Sequence, residues 1–184
     1  MKKWKVNKPD QKLVAEFMRK CDLNKLTLEV MTSRGYSDFQ SIADFFREES
    51  FDDPFIIKDM QAAVDTINEA VDSYELICVY GDYDCDGVTA TSILYNYLLN
   101  IGANVMYYIP ERSDGYGMSI SAVEKLYSMD VKLIVTVDNG ISAVEEADKI
   151  AELGMKLVIT DHHQPSEKLP KAKAIVNPHR QDCP

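Results

Sequence analysis

From residue 75 onward the chain alternates short, mainly apolar runs with helical stretches, and few architectures accept that pattern. The runs at 76–80, 104–109, 132–137, 156–160 and 174–177 have no polar face, so as strands they need cover on both sides. Helices are predicted over 88–101, 118–128 and 142–153, with Gly102 and Gly154 as their stops. Strand and helix in turn call for a parallel sheet flanked by helices, an α/β Rossmann-like fold. Residues 1–74 read as a small helical N-terminal region ahead of this 75–184 domain. Leu13, Val14, Phe17, Met18 and Cys21 fall at helical spacing within 9–22, and Pro9 suits the entry. Arg34-Gly35-Tyr36 marks a break, a helical stretch then carries Ile42, Phe45 and Phe46, and 48–54 is a polar connection. A helix over 58–71 would turn Met60, Ala63, Val64, Ile67 and Val71 inward. These aromatic and Met stripes are read as core.

The polar residues gather where the apolar runs stop. Gly81-Asp82-Tyr83-Asp84-Cys85-Asp86 follows the first run and Asp138-Asn139-Gly140 the third. Asp161-His162-His163 follows the fourth, and Asn177-Pro178-His179 the fifth. Open α/β sheets bind ligands at the carboxyl ends of their strands. Four strand ends thus bring carboxylates, imidazoles and an amide to one edge. On an extended chain Asp82, Asp84 and Asp86 would lie about 6.6 Å apart and repel one another. Bound cations relieve that repulsion; a solvated acidic turn is the simpler reading, since turns collect Asp. Two adjacent histidines behind an Asp favour the cation. The mixture of imidazole and carboxylate suits manganese, with magnesium second, and no cysteine pairing supports structural zinc.

Other motifs fit less well. Asp82-x-Asp84-x-Asp86-Gly87 matches the opening of an EF-hand loop, but Ile93 stands where the loop needs a bidentate Glu. Asp84-Cys85-Asp86-Gly87-Val88 resembles the nucleophile motif of haloacid-dehalogenase phosphatases, with Thr136 as a second motif. No later acidic pair closes their magnesium site, and they have no use for His-His. A phosphate-cradling glycine loop conflicts with three aspartates unless metal intervenes. Arg112-Ser-Asp-Gly115-Tyr116-Gly117 is either a turn or an Arg on flexible backbone near a substrate phosphate.

Composition narrows the partners. The net charge of −10 is unevenly spread: residues 1–28 hold eight Lys/Arg against three acids, and 29–86 hold three against fifteen. An acidic belt opposes non-specific attraction to nucleic acid, so any such contact must be local or helped by metal. No apolar run approaches a membrane span, and the four cysteines, at 21, 78, 85 and 183, fit reduced thiols in the cytoplasm.

Together the motifs resemble the DHH phosphoesterase superfamily, named for the Asp-His-His seen at 161–163. The order Gly81-Asp82-Tyr83-Asp84-x-Asp86-Gly87, Gly115-Tyr116-Gly117, Val137-Asp138-Asn139-Gly140, Val176-Asn177-Pro178 is similar to its single-strand-specific DNA exonucleases. Arg34-Gly35, Asp53-Pro54-Phe55 and Lys58-Asp59-Met60 extend the likeness into the helical region. The resemblance implies metal-dependent phosphodiester hydrolysis, 5′→3′ on single-stranded DNA, in recombination and repair. It implies two divalent cations: Asp84 on one with Asp82 assisting, Asp86 and His162 on the second, and Asp138 bridging. His163 would face the scissile phosphate, Asp161 would support its neighbours from behind, and Arg112, Gly115, Tyr116 and Asn177 would meet substrate. It also implies a further metal-binding Asp and further domains beyond Pro184, so this chain reads as an N-terminal part, inactive by itself. Two alternatives keep the same scaffold: an oligonucleotide or cyclic-dinucleotide phosphodiesterase, and an inactive regulatory domain that would fail to bind manganese.

Overall fold

The computed structural model describes residues 5–47, 52–112, 115 and 117–184. The apolar runs pair as β1 (Ile77–Tyr80), β2 (Val105–Tyr108), β3 (Leu133–Val137), β4 (Lys156–Thr160) and β5 (Ala174–Val176). They form one parallel sheet in the order β2-β1-β3-β4-β5. Every residue of β1, β3 and β5 is buried. Their side chains alternate between two apolar cores, as the pleat requires. Cys78, Tyr80, Ile134, Leu157 and Ile159 face one core, together with residues of the helices α6 (Ile120–Ser128) and α7 (Val144–Glu152). Ile77, Val79, Leu133, Val135 and Val158 face the other, with α4 (Met60–Asp72) and α5 (Cys85–Asn100). The sheet is therefore wound on both faces. The chain reverses direction across the sheet between β1 and β3, which creates a crevice at their carboxyl ends.

The chain divides into two compact units, Met1–Phe51 and Asp52–Pro184. The helix α4, read from sequence with the helical N-terminal region, packs on β5 in the second unit, with Ala63 and Ala70 inside its core. Asp59, just ahead of α4, adopts a left-handed conformation (φ 63°), and its Oδ2 accepts from Ile175 N at 3.3 Å and Arg180 Nη1 at 2.6 Å. The same Arg180 nitrogen donates to Ile175 O at 2.6 Å, so a partly buried ion pair clasps the edge strand.

Several boundaries differ from the sequence reading. In the first unit α1 covers Gln11–Phe17, shorter than 9–22, and a separate helix α2, Lys25–Ser33, follows it. Asn24 starts α2 by accepting from Thr27 N at 2.9 Å, a cap that sequence periodicity passed over. The helix α3 spans Phe39–Phe45. Phe45 and Phe46 are not core: they are 57% and 47% exposed and meet edge to face at 5.1 Å. Residues 48–51 of the polar connection lie outside the described residues, and Asp53 caps a short 3₁₀ turn, Pro54–Ile56. The helix after β1 begins at Cys85, not at 88, with Asp84 as its cap. Gly102 and Gly154 end α5 and α7 in left-handed conformations (φ 82° and 74°), as expected. Among the described residues no helix is long and apolar enough to cross a membrane.

The double-sided burial of β3 carries a measurable consequence. Leu133→Ala empties a fully buried site in the central strand and should cost about 2–5 kcal/mol in chemical denaturation. Ile93→Ala, at a site 73% exposed on α5, should stay within about 0.5 kcal/mol of the parent.

Candidate metal centre

Three different backbone settings deliver the three carboxylates of the 82–86 stretch, so the chain there is not the extended string its alternation suggested. Asp82 leaves the end of β1, wholly buried. Asp84 caps α5 by accepting from Gly87 N at 3.0 Å, and Asp86 lies in the first turn. The turn is tight because residue 87 is glycine. A Cβ there would stand 2.6 Å from Asp82 O and 2.8 Å from Asp82 Cα, so any side chain would push α5 off the backbone that carries Asp82. The sharp turn lets carboxylates two apart in sequence meet at one place.

Asp138 comes from the end of β3. Its φ of 61° is in the left-handed region, strained for a residue with a Cβ. Its amide donates to Thr160 O at 3.1 Å, which continues the β3–β4 ladder through the strained residue. Ligand atoms of Asp82, Asp84 and Asp138 all lie within 4.8 Å of one another, and so do those of Asp138, His162 and His163. Asp138 belongs to both groups. His162 Nε2 stands 2.8 Å from Asp138 Oδ1 and 3.8 Å from Asp86 Oδ2. Asp138, expected as the bridge, is the residue the two groups have in common. His163 lies closer to the second group than its expected role toward the phosphate alone would require, and Asp86 stands at the margin.

The electrostatics of this cluster call for positive charge. Both oxygens of Asp82, and Oδ2 of Asp138, are buried with no hydrogen-bond partner among the described residues. Burial, and next the negative charge of Asp86, raise the Asp138 carboxyl above the ordinary carboxylate range, while its bond to His162 pulls the other way. Asp84 is lowered, first by the Gly87 amide and then by its hydrogen bond with Asp86. Buried oxygens without partners cost free energy that a coordinated cation would return. The donor set, hard carboxylates with imidazole, fits a divalent cation of the manganese or magnesium kind.

Behind the cluster a carboxylate holds the histidines. Asp161 Oδ1 accepts from His162 N at 2.7 Å, His163 N at 3.1 Å and His163 Nδ1 at 2.7 Å, and its Oδ2 accepts from Ile141 N at 2.9 Å. A carboxylate only accepts, so the proton of the ring bond sits on His163 Nδ1 and Nε2 is left to the site. That bond is also the main reason His163 titrates above an ordinary histidine.

The expected substrate contacts separate. Arg112 stacks over the Tyr83 ring, 5.4 Å from its centroid, beside the acidic stretch. Gly115 is left-handed (φ 92°) with open space around its Cα, and Tyr116 lies outside the described residues. Asn177 is corrected: it is wholly buried, donates to His163 O at 2.9 Å and accepts from His179 N at 2.8 Å. Its amide braces the histidine turn and has no surface left for substrate. Asn139, given no role from sequence, donates to Tyr80 O at 3.2 Å and Val137 O at 2.9 Å, riveting β1 to β3 at the crevice. Gly140 (φ 106°) packs so closely that a Cβ would meet Thr136 Oγ1 at 2.7 Å. The Asn-Gly pair after Asp138 was visible in sequence, but its partners were not.

Residues 76–184 match the model of the DHH family, N-terminal domain. The chain is 39% identical over 184 residues to the single-stranded-DNA-specific exonuclease RecJ of Bacillus subtilis, covering 98% of this chain and 23% of that relative. It is 39% identical over 126 residues to RecJ of Escherichia coli, covering 67% of this chain and 22% of that one. A crystal structure of exonuclease RecJ bound to manganese aligns with TM-score 0.64 at 35% identity, over 68% of this chain and 32% of the other. RecJ of Thermus thermophilus in complex with Mn2+ aligns with TM-score 0.66 at 26% identity, over 97% of this chain and 25% of the other. The chain therefore spans about a quarter of the length of the curated relatives it matches.

Two substitutions separate metal binding from folding. Asp82→Asn removes a carboxylate that lacks partners when no cation is present, so metal-free thermal stability should rise by about 1–3 kcal/mol. The stabilisation by manganese, about 2.7 kcal/mol at a hundred times Kd for the parent, should disappear in the same melts. Gly87→Ala should weaken manganese binding at least about tenfold by calorimetry, whereas Ser92→Ala on the exposed side of α5 leaves it unchanged.

Proposed function

Because the chain belongs to the DHH family through residues 76–184, we propose that it carries the metal-binding part of a phosphodiester hydrolase acting 5′→3′ on single-stranded DNA. One observation carries the reading: Asp82–Asp84–Asp138 and Asp138–His162–His163 converge through a single strained, buried carboxylate at the strand-order switch. Two divalent cations, manganese first and magnesium second, would be held by Asp82, Asp84, Asp86, Asp138 and His162. They would supply charge neutralisation and water activation for in-line displacement at phosphorus.

The chain's own residues then have distinct tasks. Asp138 fixes the distance between the two groups of ligands, and its backbone strain is the cost of presenting a strand-end carboxylate to both. His163 offers Nε2 toward the phosphate, with its ring orientation set by Asp161. Arg112, steadied on Tyr83, would pair with a substrate phosphate. The acidic 29–86 segment gives little general attraction to DNA, so affinity depends on contacts at the site itself. The four cysteines, unpaired in the fold, support a reducing compartment inside the cell.

The test is hydrolysis of long single strands by the intact protein with manganese, compared with dinucleotides. Preference for long strands supports the exonuclease, and preference for dinucleotides supports an oligonucleotide phosphodiesterase. Asp138→Ala should lower the rate more than about 100-fold, and Asp161→Asn by about 10–100-fold, the range for residues that orient ligands. Near-parent activity of Asp138→Ala would sink the mechanism.

A further inference from the structure

A buried hydroxyl packs against the two glycines that flank the first carboxylates. Thr91, on the inward side of α5, is 3% exposed, on a helix face where Ala90, Leu94 and Leu98 supply apolar surface. Its Oγ1 donates to Gly87 O at 2.7 Å, an acceptor that the helix ladder already uses. Such a second bond to the carbonyl one turn back adds no stability to a helix and tends to bend it. A hydroxyl buried among apolar groups for so little return has its use elsewhere.

That use lies on the far side of the oxygen. A Cβ on Gly81 would collide with Thr91 Oγ1 and would stand 3.1 Å from Gly87 O. The exit of β1 and the first turn of α5 thus cross with the Thr91 oxygen set against both glycines. Gly87 is gripped at both its polar groups, its amide donating to Asp84 Oδ1 at 3.0 Å and its carbonyl accepting from Thr91. Gly81 is the residue before Asp82. One hydroxyl therefore bears on the backbone that carries Asp82 and on the backbone that holds Asp84. His162 and His163 follow β4 and are reached by neither path.

We infer that Thr91 is a positioning residue for the Asp82–Asp84–Asp138 group, setting the spacing between its β1 and α5 ligands without acting on the two histidines. The inference rests on the proposed metal-dependent function. A methyl in place of the oxygen is bulkier and cannot donate, so it would part Gly81 from Gly87 and release the Gly87 carbonyl. Metal–ligand distances are held to about 0.2 Å, so a slight parting of strand and helix weakens this group of ligands.

Manganese calorimetry on the whole chain tests it, with two binding events expected in the parent. His162→Gln marks the event that belongs to the histidine group. Thr91→Val, close to threonine in volume, should weaken the other event by about 10–100-fold, the range for groups that orient ligands. It should leave the histidine event within about twofold. Thr91→Ser keeps the donor and should stay within about twofold on both. Thr66→Val removes the same kind of bond, Thr66 Oγ1 to Ala62 O at 2.7 Å, from α4 and should change neither. Thr91→Ala removes the donor without adding bulk; it should weaken the same event and serves if the valine variant does not fold. Equal weakening of both events, no weakening, or a loss in Thr91→Ser as large as in Thr91→Val would each overturn the role of Thr91 and leave the metal centre standing. A parent that binds fewer than two manganese ions would remove the two-group reading itself, and the inference with it.

Discussion

Parallel strands buried on both faces can place polar side chains only at their ends, and this chain depends on that constraint. β1 and β3 are buried along their whole length, and their side chains alternate between two apolar cores. The first residues free of this requirement are Asp82 and Asp138. The strand order puts those two ends side by side, with the end of β4 next in line. Carboxylates and imidazoles that are far apart in sequence are thereby forced into one crevice, where the carboxylates leave buried oxygens without partners among the described residues.

The crevice is held open against its own electrostatics by groups that do no chemistry. Asn139 ties the ends of β1 and β3, Asn177 ties the β4 exit to the turn after β5, and Arg180 with Asp59 clasps the edge strand. These bonds use backbone carbonyls and amides that would otherwise be unpaired at the strand ends. What they leave unpaired at this edge among the described residues is informative: both oxygens of Asp82, Oγ1 of Thr136, Oδ2 of Asp138 and Oδ1 of Asn139. Rigid support around unsatisfied acceptors is the arrangement expected of a site that trades stability for ligand binding.

Much of the fold was legible because apolar continuity and helix stops are local signals. The five strands fall within a residue or two of their predicted limits, and Gly102 and Gly154 end helices as their sequence context implies. The ligand candidates were legible too, since Asp82, Asp84, Asp138 and the Asp161–His163 triplet all follow apolar runs. The early start of α5 was missed because it depends on Asp84 accepting from Gly87 N, a single side-chain bond in a stretch that reads as extended. The exposure of Phe45 and Phe46 was missed because an aromatic pattern marks an apolar face without saying what covers it.

The sequence by itself determined a parallel α/β sheet with metal-type side chains at its carboxyl edge, because burial on two faces and the pairing of acid with imidazole are both written in residue order. Only the tertiary structure decided how those side chains share the edge. Asp138 joins two groups through a left-handed backbone, Asp161 stands behind the histidines, and Asn177 turns inward. Each of these depends on residues brought together across strand ends. Such contacts have no period along the chain, because the order of strands in the sheet, and not their order in sequence, sets which ends are neighbours.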